Sequence, residues 1–264
     1  MSLDAAHSPA LAGICFDAYG SLFDVSPLLR DVDALVGNGA GIAFQQRLVT
    51  WTWHATAGER WSPFEEIART ALLACASEWS AVLHDRDVAA LLSRLHRLPL
   101  ADGAFDVVHT LAPAQLAVLS NGSRDALAAL VDNAGIAPQI VHLLGTDQVQ
   151  RYKPSPQVYA LAPVAFGVSS DRVLLVSAND WDVAGAATAG LRTAWVSHGR
   201  PQTRVLGIGA DLVVESLRDL PDALAGRGLV DLDVSDVTLP GRSQSAGSSV
   251  SAAPGLRRRQ PPAR

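Results

Sequence analysis

Four short apolar runs along the chain each end at a polar residue, and this pattern predicts four strands. The four runs with their terminal polar residues are Ile14–Phe16 before Asp17, Leu116–Leu119 before Ser120, Val173–Val176 before Ser177, and Thr193–Val196 before Ser197. Apolar and polar positions do not alternate strictly within them, which is typical of strands covered on both faces by helices. A shorter run at Leu212–Val214 predicts a fifth strand.

Helical patterns lie between these runs. Arg124–Asn133 has apolar residues at helical spacing and stops at Gly135, whereas Asp182–Ala189 is rich in small residues and stops at Gly190. Ser155–Phe166 is also helical in pattern, although Pro163 is expected to kink or split it. Alternating strands and helices predict an α/β fold with a doubly wound parallel sheet, whose ligands gather outside the carboxyl ends of the strands.

A long segment between the first two predicted strands has no strand signal and several amphipathic helical patterns. Two apolar stripes at helical spacing run through it: Phe44, Leu48, Trp51 and Ala55, then Leu91, Leu92, Leu95 and Leu98. Such stripes are expected to pack rather than to bind a ligand. We therefore predict a Rossmann-like core at 11–26 and 103–225, with a helical cap at 27–102 inserted in it. Residues 235–264 are expected to form a disordered tail, because their Ser/Ala/Gly-rich sequence cannot bury enough apolar surface.

Composition narrows the classes of partner and compartment. The net charge is −5, whereas nucleic-acid and anionic-membrane surfaces favour clustered basic residues, so neither partner is expected. No apolar run approaches the roughly 20 residues that a membrane-spanning helix needs, and no export signal is visible. Cys15, one of two cysteines, lies in an apolar run, which indicates a small buried side chain rather than a disulfide or metal ligand. These features predict a cytoplasmic protein.

Polar residues that could carry chemistry follow the predicted strand ends or lie in nearby loops. They are Asp17 and Ser21, then Ser120 and Asn121, then Lys153 and Tyr159, then Ser177, Asn179, Trp181 and Asp182. Taken singly, most of them are explained as caps of turns or helices. Taken together they predict a site, because two carboxylates and one ammonium converge on one edge of the sheet. Lys153 is the one lysine among 21 basic residues, which suggests that a compact ammonium is needed there.

In this order the segments resemble the motifs of the haloacid dehalogenase superfamily. They read Phe16-Asp17-Ala18-Tyr19-Gly20-Ser21, Leu119-Ser120-Asn121-Gly122-Ser123, Tyr152-Lys153-Pro154 with Tyr159, and Val176-Ser177-Ala178-Asn179-Asp180-Trp181-Asp182. The resemblance covers roughly residues 13–220, and four motifs in order are far more specific than any one of them.

Two positions separate this chain from the phosphatases of that superfamily. Phosphatases carry a second aspartate two positions after the nucleophile, where this chain has Tyr19. They also carry a magnesium-binding aspartate in the last motif, where this chain has Ala178, and alanine offers no oxygen to Mg²⁺. Four residues instead resemble the L-2-haloacid dehalogenase branch: Tyr19, Asn121, Asn179 and Trp181. That resemblance implies that neither a cofactor nor a metal ion is needed.

The resemblance implies a covalent mechanism. Asp17 would be the nucleophile that displaces halide from C2 of a short 2-haloalkanoate, giving an ester that water then hydrolyses. Lys153, supported by Tyr159, would hold Asp17 ionised and oriented. Ser21 would keep a hydroxyl within reach of the nucleophile.

The other matched residues would handle water and substrate. Asp182, with Ser177 and Asn179 around it, would position or activate the water. The implied substrate contacts are Ser120 for the carboxylate, Asn121 for the departing halide, and Tyr19, Phe64 and Trp181 for an apolar wall around the halogen-bearing carbon.

One position departs from the dehalogenase pattern. Family members present an arginine eight residues before the tryptophan of a Thr-Trp pair in the cap, where it draws off the halide. Here Thr52-Trp53 matches, but the residue in register is Gln45. A neutral amide can hydrogen-bond a halide, but it lacks the charge that would stabilise one in a water-poor pocket. Arg47 would lie on nearly the opposite face of a helix and could substitute only if that helix were irregular. We expect weak activity, an altered halide preference or a changed substrate.

Two other functions stay open at this stage. A phosphatase-like hydrolase of the same superfamily is favoured by the fold and opposed by Tyr19 and Ala178. A non-catalytic relative that binds a small carboxylate is favoured by Gln45. The resemblance also suggests a homodimer through the cap, to which Trp51, Trp53, Trp61 and Trp79 could contribute.

Overall fold

The structure is a computed structural model, and it describes residues 10–229 of the chain. Within these residues six parallel strands form one sheet in the order β3-β2-β1-β4-β5-β6. The strands are β1 Gly13–Phe16, β2 Gln115–Ser120, β3 Ile140–Gly145, β4 Val173–Ser177, β5 Arg192–Val196 and β6 Leu212–Val214. This order places the sequence reversal beside β1, so the predicted doubly wound fold is confirmed.

Ten α-helices in the described residues accompany the sheet. They are α1 Ser26–Val36, α2 Ala40–Ala57, α3 Phe64–Glu78, α4 Asp85–Arg94, α5 Ala104–Leu111, α6 Arg124–Asn133, α7 Pro156–Tyr159, α8 Leu161–Phe166, α9 Asp180–Thr188 and α10 Leu220–Ala225. In this part of the chain, none of the helices has both the length and the apolar character needed to cross a membrane.

Alternate residues of the central strand belong to two separate apolar layers. Ile14 and Phe16 pack into the cluster that contains the buried faces of α5, α6 and α10. Cys15 faces the other way, into the cluster built from α7, α8 and α9. Because side chains alternate between the faces of a strand, helices on both sides bury all four residues of β1. This explains the unbroken apolar runs in the sequence.

Helices α1–α4 follow β1 and precede α5, in the segment predicted to be a cap. The segment that leads into them and the segment that returns lie side by side, since Phe23 forms an antiparallel bridge with Leu100. The Asp24 N–H donates to the Pro99 carbonyl at 2.9 Å, and Ala101 N–H donates to the Leu22 carbonyl at 2.9 Å. Residues 10–229 fall in one compact unit, and the division into core and cap stays a prediction.

The structure adds one strand to the predicted elements, and it shows where the helix expected to kink or split is divided. Strand β3 was not predicted, because His142 interrupts its apolar sequence and the strand lies at the edge of the sheet formed by residues 10–229, where it pairs with β2. The helix predicted over Ser155–Phe166 is two short helices that meet at Ala160, so the break lies three residues before Pro163. A proline clashes with the chain about one turn before it, which accounts for that position. The tail predicted at 235–264 lies outside the described residues.

Candidate active site

Asp17 directly follows β1, at the carboxyl edge of the sheet where β1 separates β2 from β4. Its backbone N–H donates to the Val176 carbonyl of β4 at 2.9 Å, which continues the sheet by one residue. The chain then turns at Gly20, whose φ of +82° lies in the left-handed region that glycine adopts most readily. This turn places Ser21 against the side chain of Asp17, a residue that is 5% exposed.

Each oxygen of the Asp17 carboxylate has a defined set of donors. The Ser21 hydroxyl donates to Asp17 Oδ2 at 2.8 Å, and Asn179 Nδ2 donates to the same oxygen at 3.0 Å. Lys153 Nζ donates to Asp17 Oδ1 at 3.0 Å. The Ser21 hydroxyl is oriented in turn, since it accepts a hydrogen bond from Ala178 N–H at 2.9 Å. Three donors therefore fix the orientation of the carboxylate.

Lys153 joins the two buried carboxylates. Its ammonium donates to Asp17 Oδ1 and to Asp182 Oδ2, the second at 2.8 Å, and its side chain is 1% exposed. Burial opposes the charge of the ammonium, but the two carboxylates outweigh burial and raise the pKa of Lys153 above its ordinary value. The Lys153 backbone N–H donates to Asn121 Oδ1 at 2.9 Å, which ties the loop to the end of β2. Because its pKa is raised, the Lys153 ammonium is charged at neutral pH.

Asp182 lies on the first turn of α9 and is fully buried. Burial raises the pKa of Asp182. The Lys153 ammonium lowers this pKa and the like charge of Asp17 raises it, and the net effect is a raised pKa. The Tyr159 hydroxyl donates to Asp182 Oδ1 at 2.8 Å, so both carboxylate oxygens of Asp182 have a partner. Tyr159 thus contacts Asp182, and the support that it was predicted to give Lys153 runs through this carboxylate. Burial, and then the Asp182 charge, raise the Tyr159 pKa, so its hydroxyl keeps its proton.

The side-chain contacts of Ser177 and Asn179 are with the predicted nucleophile and its neighbour Ser21. They were expected around Asp182, but Asn179 donates to Asp17, and Ser177 Oγ lies 3.5 Å from Ser21 Oγ. Ser177 Oγ also accepts from the Asn179 N–H at 3.2 Å. Asn179 therefore contacts the predicted nucleophile directly, and Ser177 contacts the two residues that donate to its Oδ2.

A cavity of about 70 Å³ opens beside Asp17. Its predicted apolar wall is present, since Tyr19, Phe64 and Trp181 all line it. The Tyr19 and Phe64 rings stack with their centroids 5.3 Å apart. Burial raises the pKa of Tyr19 well above its ordinary value, with Glu65 and Asp17 adding to the effect, so the Tyr19 hydroxyl stays neutral. The cavity is small and largely apolar, and a carboxylate lies at its edge.

The cap residue in register with the family arginine faces this cavity. Gln45 lines it, together with Leu48 and Phe44 of the same helix. Arg47 points elsewhere, donating to Cys75 Sγ and forming an ion pair with Glu78. Helix α2 is continuous through this region, so the irregularity that would bring Arg47 round does not occur. None of the described residues that line the cavity is an arginine, lysine or histidine.

Ser120 and Asn121 reach the cavity from the end of β2. Ser120 Oγ accepts from the Gly122 N–H at 3.3 Å. The Thr146 hydroxyl donates to the Asn121 carbonyl at 2.7 Å, and fixes the backbone of this turn. Because Asn121 Oδ1 is taken by Lys153 N–H, its amide nitrogen is the part left for a ligand.

The residues at the edge of the sheet do not fit the magnesium site of the phosphatase branch. Ala178 supplies a methyl group where a carboxylate oxygen would be required. The Ala178 carbonyl oxygen already accepts two hydrogen bonds. Trp195 Nε1 donates to it at 3.2 Å, and Arg200 Nη2 donates to it at 2.6 Å. In the described part of the chain, no group of three or more His, Cys, Asp or Glu side chains is placed to hold a metal ion.

Sequence reasoning missed part of the cavity lining. Phe44, Leu48 and Leu95 were assigned to packing stripes, yet all three line the cavity. Nothing in the helical spacing of these residues separates core positions from cavity positions, because the cavity is walled by the same apolar face that packs the cap. Val25 and Leu29, near the start of α1, also line it without any sequence signal.

Comparison with known proteins places this geometry among hydrolases. A family model described as haloacid dehalogenase-like hydrolase matches residues 11–190. The chain is 33% identical over 225 residues to the (S)-2-haloacid dehalogenase of Pseudomonas sp. (strain YL), covering 82% of this chain and 97% of that protein. It is 32% identical over 191 residues to the (S)-2-haloacid dehalogenase of Xanthobacter autotrophicus, covering 71% and 76%. The solved structure of L-2-haloacid dehalogenase from Xanthobacter autotrophicus with chloropropionic acid covalently bound is 28% identical, with a TM-score of 0.76 and coverage of 82% and 99%.

Proposed function

The chain belongs to the family of haloacid dehalogenase-like hydrolases, and from this premise we propose that it hydrolyses short L-2-haloalkanoic acids to D-2-hydroxy acids. The observation that carries the proposal is the buried Lys153 ammonium, which holds Asp17 and Asp182 beside a small apolar cavity. The resemblance drawn from the four motifs is confirmed at the level of the family. The relatives named above act on 2-haloacids, and the phosphatase-like alternative is not favoured.

The first step is displacement of the halide by Asp17. An Asp17 carboxylate oxygen forms a bond to C2, the carbon–halogen bond breaks with its electron pair, and the halide departs with inversion at C2. Lys153, Ser21 and Asn179 hold the carboxylate in one orientation for this attack. The apolar wall keeps water away from the anionic nucleophile, and thereby preserves its reactivity.

The second step is hydrolysis of the ester. Water attacks the carbonyl carbon of the esterified Asp17, the bond between this carbon and the ester oxygen breaks, and the D-2-hydroxy acid leaves with that oxygen. Once Asp17 is an ester its negative charge is gone, and Asp182 is the carboxylate that remains on the Lys153 ammonium. We assign Asp182 as the base that takes one proton from the attacking water and passes it to the departing alkoxide oxygen, while the second proton of the water is released when Asp17 returns to its carboxylate form. Asn179, at the Asp17 side of the site, orients the water.

Substrate and halide are held by neutral donors. We assign the substrate carboxylate to Ser120 and to backbone N–H groups near the start of α6. The amide nitrogens of Gln45 and Asn121 are the groups proposed to receive the halide. A halide that gains its full charge against amides is stabilised less than one beside a guanidinium.

The proposed function is tested by halide release from each enantiomer of 2-chloropropanoate, with and without a chelator. We expect release from the L enantiomer alone, at the same rate when the chelator is present. Halide release that requires added magnesium would point to the phosphatase-like alternative. Release of phosphate from phosphate esters, without release of halide from the haloacids, would point the same way. Folded protein that binds the acid without releasing halide would support the non-catalytic one.

Restoring a positive charge at Gln45 is expected to speed the reaction. We expect Gln45→Arg to raise kcat/KM for L-2-chloropropanoate on the order of tenfold, because a guanidinium in the cavity stabilises the departing chloride. The gain should be smaller for the iodo acid, whose leaving group needs less help. Halide release across the chloro, bromo and iodo acids measures this effect.

The neighbouring residue offers a matched control for this charge. Gln46 is exposed and does not line the cavity, so Gln46→Arg adds the same charge outside it. Equal rate changes in the Gln45 and Gln46 variants would show that the charge acts through the general field of the protein rather than on the halide.

The activity is expected to fall at acid pH while the protein stays folded. Burial, and then the Asp17 charge, raise the pKa of Asp182, so the acid limb of kcat/KM should lie above the ordinary aspartate pKa of about 3.9. A carboxyl whose pKa is raised by folding binds its proton more readily in the folded state, so protonating Asp182 does not itself unfold the protein. Circular dichroism across the pH–rate profile measures this, and coincident loss of activity and ellipticity would contradict it.

On the alkaline side of the pH–rate profile, kcat/KM should not fall early through loss of the Lys153 charge. Two carboxylates raise the pKa of Lys153 against the effect of burial, so the ammonium stays charged through the ordinary lysine pKa of about 10.4. Its contribution to stability is fully present below that value and is lost only as the pH rises through the higher pKa of the folded state.

We also propose that the protein is a cytoplasmic homodimer. The two cysteines, Cys15 and Cys75, are buried and unpaired, which suits a reducing compartment. Trp53 and Trp79 of the cap segment are each 37% exposed, and large exposed apolar side chains are favoured at protein interfaces. Light scattering of the purified protein tests the assembly, and a monomeric mass would refute it.

A further inference from the structure

A second cavity lies on the far side of Trp181 from Asp17. It is an open groove of about 660 Å³ between α2, the loop that holds Pro154, α9 and the segment 205–208. Its lining is mostly apolar and includes Trp53, Ala184, Thr188, Val205 and Ile208. Asp17 and the polar residues around it do not belong to this lining, so the groove is separate from the reaction site.

Trp181 belongs to the lining of both spaces. It lines the small cavity with Asp17, and it lines the groove with Trp53. Its ring meets the Trp53 ring edge to face, with centroids 5.6 Å apart and planes at 77°. Among residues 10–229, Trp181 is the one residue that borders both the cavity of about 70 Å³ and the groove of about 660 Å³.

Hydrogen bonds hold the backbone that carries this indole. Trp181 N–H donates to Asp180 Oδ1 at 2.8 Å, and Thr203 Oγ1 donates to Asp180 Oδ2 at 2.8 Å. Trp181 also lies one residue before Asp182, whose carboxylate is bound to Lys153 and Tyr159. Both neighbours in the sequence are fixed, so the start of the side chain is fixed as well.

Resting on the proposed function, we propose that Trp181 sets the length of the alkyl chain that the enzyme accepts. The indole confines C3 of the substrate to the small cavity. The groove behind it has the size and apolar lining for the alkyl chain of a longer 2-haloalkanoate, because apolar surface leaves water favourably in such a space. The bonds formed and broken at C2 are the same for short and long substrates.

The test compares two substrates that carry the same leaving group. For L-2-bromopropanoate and L-2-bromooctanoate, kcat/KM is measured by bromide release from the wild type and from Trp181→Ala. We expect the octanoate-to-propanoate ratio to rise by an order of magnitude or more in the variant, roughly the selectivity that one or two methylenes command in an apolar pocket. An unchanged ratio would overturn the proposal.

Two further variants show where the added chain lies. Phe64→Ala removes an aromatic wall of the small cavity without touching the groove, so it should not raise the ratio. In the Trp181→Ala background, Thr188→Phe refills the groove and should return the ratio towards the wild-type value. A similar gain in Phe64→Ala, or an undiminished gain in the double variant, would also overturn the proposal.

A binding measurement keeps this result distinct from the proposed function. Calorimetry of D-lactate and D-2-hydroxyoctanoate, the product acids, gives an affinity ratio that needs no turnover, and we expect it to shift in the same direction. Trp181→Leu serves the same comparison should the alanine variant not fold. Failure of the wild type to release bromide from L-2-bromopropanoate counts against the proposed function, whereas an unchanged affinity ratio counts against the role of Trp181 alone.

Discussion

We expect Asp17→Asn to lower kcat for halide release on the order of 10⁴-fold or more. The amide oxygen is a poor nucleophile, and the amide cannot accept the full ion pair with Lys153 that orients the carboxylate. Bromide release from L-2-bromopropanoate measures the loss. An Asp17→Asn variant with activity close to that of the wild type would show that another group attacks C2.

A nearby aspartate provides the control for this variant. Asp24 follows in the same loop, and its Oδ1 accepts the Ser26 N–H at 2.8 Å at the start of α1. The amide oxygen of asparagine can accept the same Ser26 N–H, so Asp24→Asn removes one negative charge from the same loop with its hydrogen bond intact. It should retain activity.

Isotope labelling distinguishes attack by Asp17 from direct attack by water. In ¹⁸O-enriched water and with enzyme in excess, a single turnover should leave the label in the Asp17 carboxylate and give an unlabelled 2-hydroxyl group. Water attacks the carbonyl carbon of the ester, so the oxygen that leaves with the product comes from Asp17. Label in the product of the first turnover would rule out the ester.

The second large effect is expected at Lys153. Lys153→Met leaves Asp17 and Asp182 buried as two carboxylates without a counter-charge, and removing one partner from a buried ion pair costs about 3–5 kcal/mol in the free energy of unfolding. Activity should fall on the order of 10²-fold or more, because the orienting charge beside the nucleophile is lost. Urea denaturation and halide release measure the two effects.

Two controls separate the buried charge from charge in general. Arg218→Met breaks exposed ion pairs with Asp102 and Asp106 and should change stability little. The double variant Lys153→Met with Asp182→Asn removes one of the two unpaired carboxylates, so it should regain part of the stability without regaining activity. Equal stability in the single and double Lys153 variants would contradict this account of the site.

Much of the site could be predicted because it lies at strand ends. Asp17, Ser120 and Ser177 each close or directly follow a parallel strand, and parallel strands present their carboxyl ends at one edge of a sheet. The reversal of strand order beside β1 then brings the loops after β1 and β4 together. Local sequence patterns were sufficient for this much.

Contacts between loops could not be predicted in the same way. The sequence placed Ser177 and Asn179 near Asp182, but the direction of a side chain in a turn depends on the turn's backbone, and Asn179 reaches Asp17 instead. Arg47 was undecided because its partners, Cys75 and Glu78, lie on another helix. Strand β3 was missed because an edge strand need not be apolar on both faces.

The single lysine also allows chemical labelling to measure how often the reaction centre opens to solvent. Apart from an α-amino group, Lys153 is the one primary amine that an acylating reagent can modify, since every other basic side chain is arginine or histidine. Its ammonium is sealed from solvent between two carboxylates. Covalent labelling of the chain at this lysine must therefore wait for the interior to open, and its rate records how often the reaction centre is exposed to solvent.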